Sequence, residues 1–290
     1  MKYIWTNIPI MIRLFRIPTI FLSLLLIFTS CHKQVKEKDS IVSFRTVELK
    51  EIHHLKDDVK NPVLSIELKF QYPTAYADDS ILKKIQKAML TDFFPDMEDT
   101  TSQPESAMKS YVNGKIKLYE SSDDLLTDED EQTPSTEPEV AWKDNTILLI
   151  RHNADNLLSY TVQSTTQFSG GAHGGTTFRN SIINLKTGEK IREEDLFTEE
   201  SLPLINAIIL KKLEFQNKVQ TPEELEQIGY FDVTQIDQYK NFYLSQVGLV
   251  YTFNQYEIGA YTLGTIEVTL TFKDIEGFIS PGSPLEKLIR

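Results

Sequence analysis

The stretch Leu158–Leu185, LSYTVQSTTQFSGGAHGGTTFRNSIINL, decides the fold that the sequence predicts. Apolar residues recur at alternate positions before its glycine-rich centre, and Thr177–Leu185 after it is a second β-patterned run. Two such runs joined by a loop predict antiparallel neighbours. The loop, Ser169–Gly175, holds four glycines that leave its backbone free to adopt positive φ and to approach another surface closely. The apolar face of the first strand carries Leu158, Tyr160, Val162 and Phe168.

His173 lies in the middle of this glycine loop and is the main candidate for chemistry. A histidine there can act as a general base, but acyl transfer also needs an activated nucleophile. No G-x-S-x-G motif occurs, and the single cysteine belongs to the N-terminal segment. We therefore predict no catalytic residue, and expect the imidazole either to bond to backbone and fix the loop or to lie at a binding surface. The alternative is an envelope hydrolase or deacetylase that uses His173 with a carboxylate.

The N-terminal part of the chain has the pattern of strands followed by helices. Strands are expected over residues 41–49 and 63–70, the second with a strict alternation of apolar and polar residues. A helix with an aspartate cap is expected over about residues 80–94. A second helical pattern covers residues 107–119, with a break expected at Asn113-Gly114.

The C-terminal part predicts two helices and a final pair of strands. One helix opens at Ser201, and a capping box at Thr221 starts another. The connection Asn254–Gly264, between the last two strands, contains Tyr256 and Tyr261. Tyrosines provide a large contact area at low entropic cost, so these two favour a binding surface, although they could also cap the edge of a sheet. The predicted strands are Val247–Phe253 and Thr265–Phe272.

The first thirty residues have the composition of a signal peptide. Basic residues precede the apolar run Ile17–Phe28, which is shorter than the roughly 20 residues of a membrane-spanning helix. Thr29-Ser30-Cys31 resembles the cleavage site of bacterial lipoproteins, so Cys31 is the predicted lipid-attachment residue; an ordinary signal peptide with an incidental thiol is the alternative. Residues 31–40 form a polar tether.

The charge of the chain argues against a nucleic-acid partner. Without residues 1–30, there are 27 basic and 42 acidic residues, a formal charge of −15. Such a surface repels polyanions and attracts cationic partners, or simply keeps an exported protein soluble. An acidic run at Asp128–Glu131 could hold calcium, but a solvated loop is the usual meaning of such a run. Because no zinc, phosphate-loop or dinucleotide motif occurs, neither a metal nor a cofactor is predicted.

Four separated motifs resemble one family of domains. GGAHG, NLKTGEKI, EEDLF and LVYTFNQYEIGAYTLGTIEVTLTF occur in this order within residues 145–278. They resemble the extracytoplasmic domain of the RsiV-type anti-sigma factors, which is also an accessory module in a peptidoglycan deacetylase. Residues 41–119 resemble the PdaC-like domain that precedes it. The resemblance implies a sensor or ligand-binding domain, and in the RsiV group the ligand is lysozyme. We find neither a sigma-binding nor a deacetylase catalytic domain, so those activities are not expected.

These observations predict an α+β fold with a mostly antiparallel sheet, packed helices and two subdomains, residues 41–140 and 141–290. The expected protein is lipid-anchored in a bacterial cell envelope, with its domain outside the cytoplasm, and binds lysozyme or a peptidoglycan-related component. A lipoprotein that only scaffolds other proteins is a further alternative. The predicted contact residues are Gly170, Gly171, Ala172, His173, Gly174, Tyr256 and Tyr261.

Overall fold

The computed structural model describes residues 41–97, 103–122, 140–168 and 171–289. The predicted signal segment, the tether with Cys31 and most of the acidic loop lie outside these residues, as do Ser169 and Gly170. Within the described ranges the chain forms two β-sheets and several helices, which confirms the predicted α+β class.

The described residues contain nine β-strands and six α-helices. The strands are β1 (Ser43–His54), β2 (Val63–Ala75), β3 (Val140–Ala154), β4 (Leu157–Phe168), β5 (Gly175–Asn184), β6 (Glu189–Lys190), β7 (Phe242–Leu244), β8 (Gly248–Phe253) and β9 (Ile266–Thr271). The helices are α1 (Asp79–Phe93), α2 (Pro104–Glu120), α3 (Leu202–Asn217), α4 (Pro222–Gln227), α5 (Phe272–Ile275) and α6 (Glu286–Ile289). Short 3-10 turns lie between several of these elements.

The larger sheet has the strand order β1-β2-β3-β4-β5-β6, and its neighbours are antiparallel except for β2 and β3. A parallel pair needs a crossover connection, and α1 and α2 lie in the chain between these two strands. The smaller sheet, β7-β8-β9, is antiparallel. Because β3 pairs with β2, the larger sheet holds strands from both sides of residue 140, and the predicted subdomain boundary at that residue stays a prediction.

One face of the larger sheet packs on α1 and α2. The Asp78 side chain caps α1 by accepting hydrogen bonds from the N–H groups of Ser80 and Ile81, as the sequence predicted. Helical spacing then turns Ile85 and Met89 into the core. The alternation predicted for β2 is also confirmed. Its inward residues, Leu64, Ile66, Leu68 and Phe70, are all buried.

The break predicted in the second helix is wrong, because α2 continues through Asn113 and Gly114. Gly114 lies on the exposed face, where nothing stands within 4 Å of the position that a Cβ would occupy. A glycine there costs only about 1 kcal/mol relative to alanine. The buried face of the helix outweighs this cost. Its members include Ala107, Met108, Val112 and Tyr119.

The first half of β4 is buried on both faces, as are Ile182 and Ile183 near the end of β5. Leu158 and Ile183 belong to the core under α1 and α2, whereas their neighbours Leu157 and Ile182 belong to a second hydrophobic core. Phe168, predicted on the same apolar face as Leu158, is 46% exposed because it lies at the end of β4. The second core is built mainly from α3 and the smaller sheet. Two hydrophobic cores thus share these two strands.

Within the described residues, none of the helices combines the length and the apolar character that crossing a membrane requires.

Candidate functional site

The smaller sheet docks on the edge of β5 through side-chain amides. At Phe178 and Asn180, the backbone groups of β5 that face away from β4 pair with these amides, whereas the end of β5 pairs with β6. Asn254 Oδ1 accepts a hydrogen bond from the Phe178 N–H (2.7 Å), and Asn241 Oδ1 accepts one from the Asn180 N–H (2.9 Å). Both amide nitrogens donate to the carbonyl oxygen of Phe178, at 3.1 Å and 2.9 Å. The amides satisfy backbone groups that the edge would otherwise leave unpaired.

This docking carries the connection Asn254–Gly264 onto the glycine loop. Gln255 Oε1 accepts a hydrogen bond from the Thr176 N–H at 3.1 Å. The Tyr261 hydroxyl donates to the carbonyl oxygen of Gly174 at 2.9 Å. Two segments that the sequence singled out separately therefore form one surface.

The His173 ring is held on three sides, although the residue is exposed. It stacks on Tyr261 with ring centres 3.6 Å apart and planes 17° apart. Its Nδ1 lies 3.1 Å from the carbonyl oxygen of Gly174, and its Nε2 lies 3.0 Å from the Tyr256 hydroxyl. Because a carbonyl oxygen only accepts, Nδ1 carries the proton, and in the neutral ring Nε2 accepts from Tyr256. The predicted bond from the imidazole to backbone is present.

Tyr256 combines exposure with an unusual backbone. Its side chain is 55% exposed, and its φ is +69°, in the left-handed region that a bulky residue rarely adopts. Its ring centre lies 5.9 Å from that of Tyr261 and 6.1 Å from that of His173. We call these three rings, His173, Tyr256 and Tyr261, the aromatic cluster. Strained residues that present a side chain to solvent are typical of binding sites.

Gly171 and Gly174 in the loop allow close approach of the backbone rather than positive φ. None of Gly171, Gly174 and Gly175 is among the described residues with positive φ. A Cβ on Gly174 would lie 2.9 Å from the carbonyl oxygen of Thr166, and one on Gly171 would lie 3.1 Å from that of Phe168. Gly175 has more room, since its nearest neighbour would stand at 4.0 Å. The four glycines suggested that the loop uses positive φ, but Gly171, Gly174 and Gly175 do not adopt it.

The structure brings together four of the predicted contact residues, His173, Gly174, Tyr256 and Tyr261. Ala172 is exposed beside them. The N–H group of Gly171 instead donates a hydrogen bond to the carbonyl oxygen of Phe168 at the end of β4, at 3.1 Å. Gly170 lies outside the described residues, as does the predicted lipid-attachment residue Cys31.

The arrangement around His173 differs from that of a catalytic base. Its hydrogen bonds go to a carbonyl oxygen and a hydroxyl, and no carboxylate contacts it among the described residues. His53 and His54 diverge, as adjacent strand residues should: His53 Nε2 lies 2.6 Å from Glu120 Oε1, and His54 Nδ1 lies 3.4 Å from the Asn61 carbonyl oxygen. The part of the chain that the structure describes holds no group of three or more histidine, cysteine, aspartate or glutamate residues suited to a metal ion.

Sequence reasoning missed a partly buried polar centre at Asp92. Its carboxylate accepts hydrogen bonds from the Tyr160 hydroxyl (2.7 Å), the Ser181 hydroxyl (2.8 Å) and Lys190 Nζ (2.5 Å). Burial, together with the charge of Asp92, raises the pKa of Tyr160 far above its ordinary value. One signal was present in the sequence, because an acid in the last turn of α1 opposes the helix dipole and needs partners elsewhere.

A second missed carboxylate is Glu193, whose side chain is 6% exposed. Its Oε1 accepts a hydrogen bond from the Tyr251 hydroxyl at 2.6 Å, and Lys240 Nζ lies 3.7 Å from its Oε2. Burial raises the pKa of Glu193, and these two neighbours only partly offset that effect. Next to it, the ion pair with Lys240 lowers the pKa of the more exposed Glu194. Adjacent acids thus have opposite shifts because their exposure differs.

Comparisons with known proteins match part of the chain to a family model. The model, described as a protein of unknown function (DUF3298), matches residues 194–273. No curated protein matches the sequence. The matched range contains Tyr256 and Tyr261, whereas His173 precedes it, so the aromatic cluster joins residues inside and outside this range.

Solved structures share the fold at low sequence identity. A crystal structure of a DUF3298 family member from Bacteroides fragilis NCTC 9343 has a TM-score of 0.74 at 22% identity, covering 86% of this chain and 97% of that chain. A DUF3298 family protein from Pseudomonas aeruginosa PAO1 has a TM-score of 0.52 at 15% identity, covering 82% of this chain and 95% of that chain. The chain therefore contains a DUF3298 domain at residues 194–273, within a fold that solved members of that family share.

Proposed function

We propose that this protein is a lipoprotein of the bacterial cell envelope whose domain, outside the cytoplasm, binds a ligand without catalysis. Lipid on Cys31 anchors it, and residues 31–40 are the tether. The support is the signal-like composition of residues 1–30 and the small residues before Cys31. This part of the proposal is tested by Cys31→Ala, which should move the protein from the membrane fraction to the soluble fraction.

The observation that carries the binding proposal is the aromatic cluster. Tyr256 and Tyr261 come from the connection between β8 and β9, and His173 comes from the loop between β4 and β5. Hydrogen bonds to backbone and between side chains hold the three rings in place before any ligand arrives. His173 and Tyr256 are exposed, and Tyr261 is partly buried beneath them. Aromatic rings that are already held in place lose little entropy on binding, which is why such groups dominate recognition surfaces.

The proposed ligand is lysozyme or a peptidoglycan-related component. The four motifs that resemble the RsiV-type domain motivate this choice, and that finer assignment is part of the proposal. Without residues 1–30 the formal charge is −15, which favours a cationic protein as the ligand, because opposite charges speed encounter and align the partners. Aromatic rings suit either ligand, since they stack on sugar rings and pack against cationic side chains.

The hydrolase or deacetylase alternative receives less support from the same geometry. A general base must reach the proton that it removes, and it is usually oriented by a second group such as a carboxylate. In the described residues, both ring nitrogens of His173 face groups of its own surface, the Gly174 carbonyl oxygen and the Tyr256 hydroxyl. A ligand that stacks on the rings needs no change in these bonds.

The binding proposal is tested by calorimetry on the full chain, purified in mild detergent, with lysozyme and soluble peptidoglycan fragments at low and high salt. We expect one of these ligands to bind, and binding of lysozyme to weaken with salt. Tyr256→Asn should weaken binding by about 30-fold, the loss typical of an aromatic hot spot. Asparagine is chosen because it tolerates positive φ.

The matched control is Phe215→Ala, which removes an aromatic side chain that is 84% exposed on α3. Its affinity should equal that of the unmodified protein. Equal affinities for Tyr256→Asn and Phe215→Ala would remove the aromatic cluster from the proposal. Absence of binding to every ligand at both salt concentrations would refute the ligand class.

A further inference from the structure

A cleft of about 420 Å³ lies at the junction of the two sheets and shares no lining residue with the aromatic cluster. Its walls are the middle of β5 (residues 180–182), the segment from β6 onward (residues 190–194), and Lys240 and Phe242 at the start of β7. The volume falls within the range of roughly 300–1,000 Å³ that is usual for small-molecule sites.

The cleft exists because the edge of β5 changes partners along its length. At Asn180 the N–H group bonds to the side-chain amide of Asn241 at 2.9 Å. Two residues later, the carbonyl oxygen of Ile182 accepts a hydrogen bond from the backbone N–H of Ile191 at 2.7 Å. The chain that follows β6 and the chain that enters β7 therefore bond to β5 at different residues, and both line the cleft.

Charges of both signs line this cleft. Lys190, Arg192 and Lys240 are the cations, and Glu193 and Glu194 are the anions. Lys190 is bonded to Asp92, and Lys240 forms an ion pair with Glu194. The Arg192 side chain is 73% exposed, and its Nε lies 3.6 Å from Asp195, so its guanidinium can turn to a ligand.

The buried carboxylate of Glu193 has one oxygen to offer. Its Oε1 already accepts from the Tyr251 hydroxyl at 2.6 Å. Its Oε2 lies 3.7 Å from Lys240 Nζ, beyond hydrogen-bonding distance. A donor brought by a ligand would complete the bonding of this oxygen, and buried carboxylates gain most from such a partner.

We propose that the cleft binds a small zwitterion, an amino acid or a short peptide that carries a free ammonium and a free carboxylate. The ammonium would donate to Glu193 Oε2, and the carboxylate would pair with the guanidinium of Arg192, whose planar fork matches a carboxylate. A ligand with only one charge would bury cleft side chains of the same charge, which would then lose water without gaining a partner. This inference is independent of the function proposed for the aromatic cluster.

The test is a calorimetric titration of the full chain in mild detergent with alanyl-alanine, its N-acetylated form and its C-terminal amide. The three peptides are nearly the same size but carry both charges, only the carboxylate, or only the ammonium. The zwitterion should bind, and removal of either charge should weaken binding at least tenfold. If the zwitterion does not bind at a peptide concentration of about 10 mM, the proposal is overturned, because a site with a millimolar Kd would be occupied at that concentration. Equal or tighter binding of either capped peptide would also overturn it.

Variants then assign the binding to this cleft. Arg192→Gln should lower the affinity for the zwitterion at least tenfold while leaving affinity for the C-terminal amide unchanged. Lys50→Gln is the matched control, because Lys50 is also an exposed member of an ion pair and lies on β1. It should bind the zwitterion like the unmodified protein. If Arg192→Gln behaves like Lys50→Gln, the cleft is not the site.

Discussion

The side chain of Asn254 pairs with the backbone of Phe178 as a neighbouring strand would. Its Oδ1 accepts from the Phe178 N–H at 2.7 Å, and its Nδ2 donates to the Phe178 carbonyl oxygen at 3.1 Å. Its own position is held by Glu257, whose carboxylate accepts from the Asn254 N–H at 2.7 Å. One amide thus joins the two sheets and sets where the connection with the tyrosines lies.

Asn254→Ala should destabilise the protein by about 1–3 kcal/mol, because both backbone groups of Phe178 lose a partner in a partly buried place. In the variant, Asn241 still donates to the carbonyl oxygen of Phe178, whereas the N–H group of Phe178 loses the hydrogen bond to Asn254. The checks are urea unfolding and amide hydrogen exchange, in which the Phe178 N–H should exchange faster. Gln238→Ala, which removes an exposed amide bonded only to Gln235 among the described residues, should change neither measurement.

Gly174→Ala should cost about 1–3 kcal/mol of folding free energy, the usual range for overpacking. The new Cβ would stand 2.9 Å from the carbonyl oxygen of Thr166, a backbone atom that cannot turn away. Gly175→Ala is the neighbouring control, with its nearest atom at 4.0 Å, and should change stability by less than about 1 kcal/mol. Equal unfolding midpoints for the two variants would contradict the close approach at Gly174.

Tyr256→Asn should separate stability from binding. A bulky residue at φ +69° costs about 1–2 kcal/mol of backbone strain, which asparagine relieves. Loss of the hydrogen bond to His173 costs about 0.5–1.5 kcal/mol, which offsets much of the stability gained by relieving the strain. The unfolding free energy should therefore stay within about 1 kcal/mol of the unmodified protein, while ligand affinity falls. Tyr256→Ala retains the strain and should be less stable than Tyr256→Asn by chemical denaturation.

Glu193→Gln should change the pH dependence of stability. Burial raises the pKa of Glu193 above its ordinary value of 4.5, so the folded protein binds this proton more tightly than the unfolded chain. The free energy of unfolding of the unmodified protein therefore falls as pH rises from 4.5 through the raised folded pKa. Glutamine can still accept from Tyr251 and has no charge to bury. The melting temperature of the variant, relative to the unmodified protein, should rise across this window and then level off.

Glu194→Gln is the control of opposite sign. The bond to Lys240 lowers the pKa of Glu194 below 4.5, so its contribution to stability is present above that pH and is lost as pH falls through the lowered folded pKa. The variant should be less stable than the unmodified protein at neutral pH, and the difference should shrink in acid. Melting curves between about pH 3 and pH 8 test both variants. Parallel curves for the two variants would contradict the different burial of these acids.

Local patterns predicted most of the individual elements. The aspartate cap and the apolar spacing placed α1 within one residue, and strict alternation identified the buried face of β2. In contrast, the parallel pairing of β2 with β3 was not predicted, because it depends on where the chain returns after α1 and α2. The expected break at Gly114 failed since a glycine on an exposed helical face costs little when the opposite face is buried.

The candidate site was predicted as two separate loops. The composition of each loop suggested contact: glycines around His173, and the two tyrosines Tyr256 and Tyr261. No pattern indicated that the loops would meet, or that the ring of His173 would stack on Tyr261. The cleft beside Glu193 was missed because its charged residues come from distant segments, and no spacing in the sequence connects Lys190 with Lys240.

The sequence by itself determined the α+β class, the faces of the main strands and helices, and the two loops for which we propose a binding role. These depend on interactions between residues close in the chain, where side-chain period and capping act. The tertiary structure alone decided that Asn241 and Asn254 take the place of a strand on the edge of β5. That choice requires backbone groups left unpaired by one sheet to meet amides from another, which only the folded chain brings within hydrogen-bonding distance.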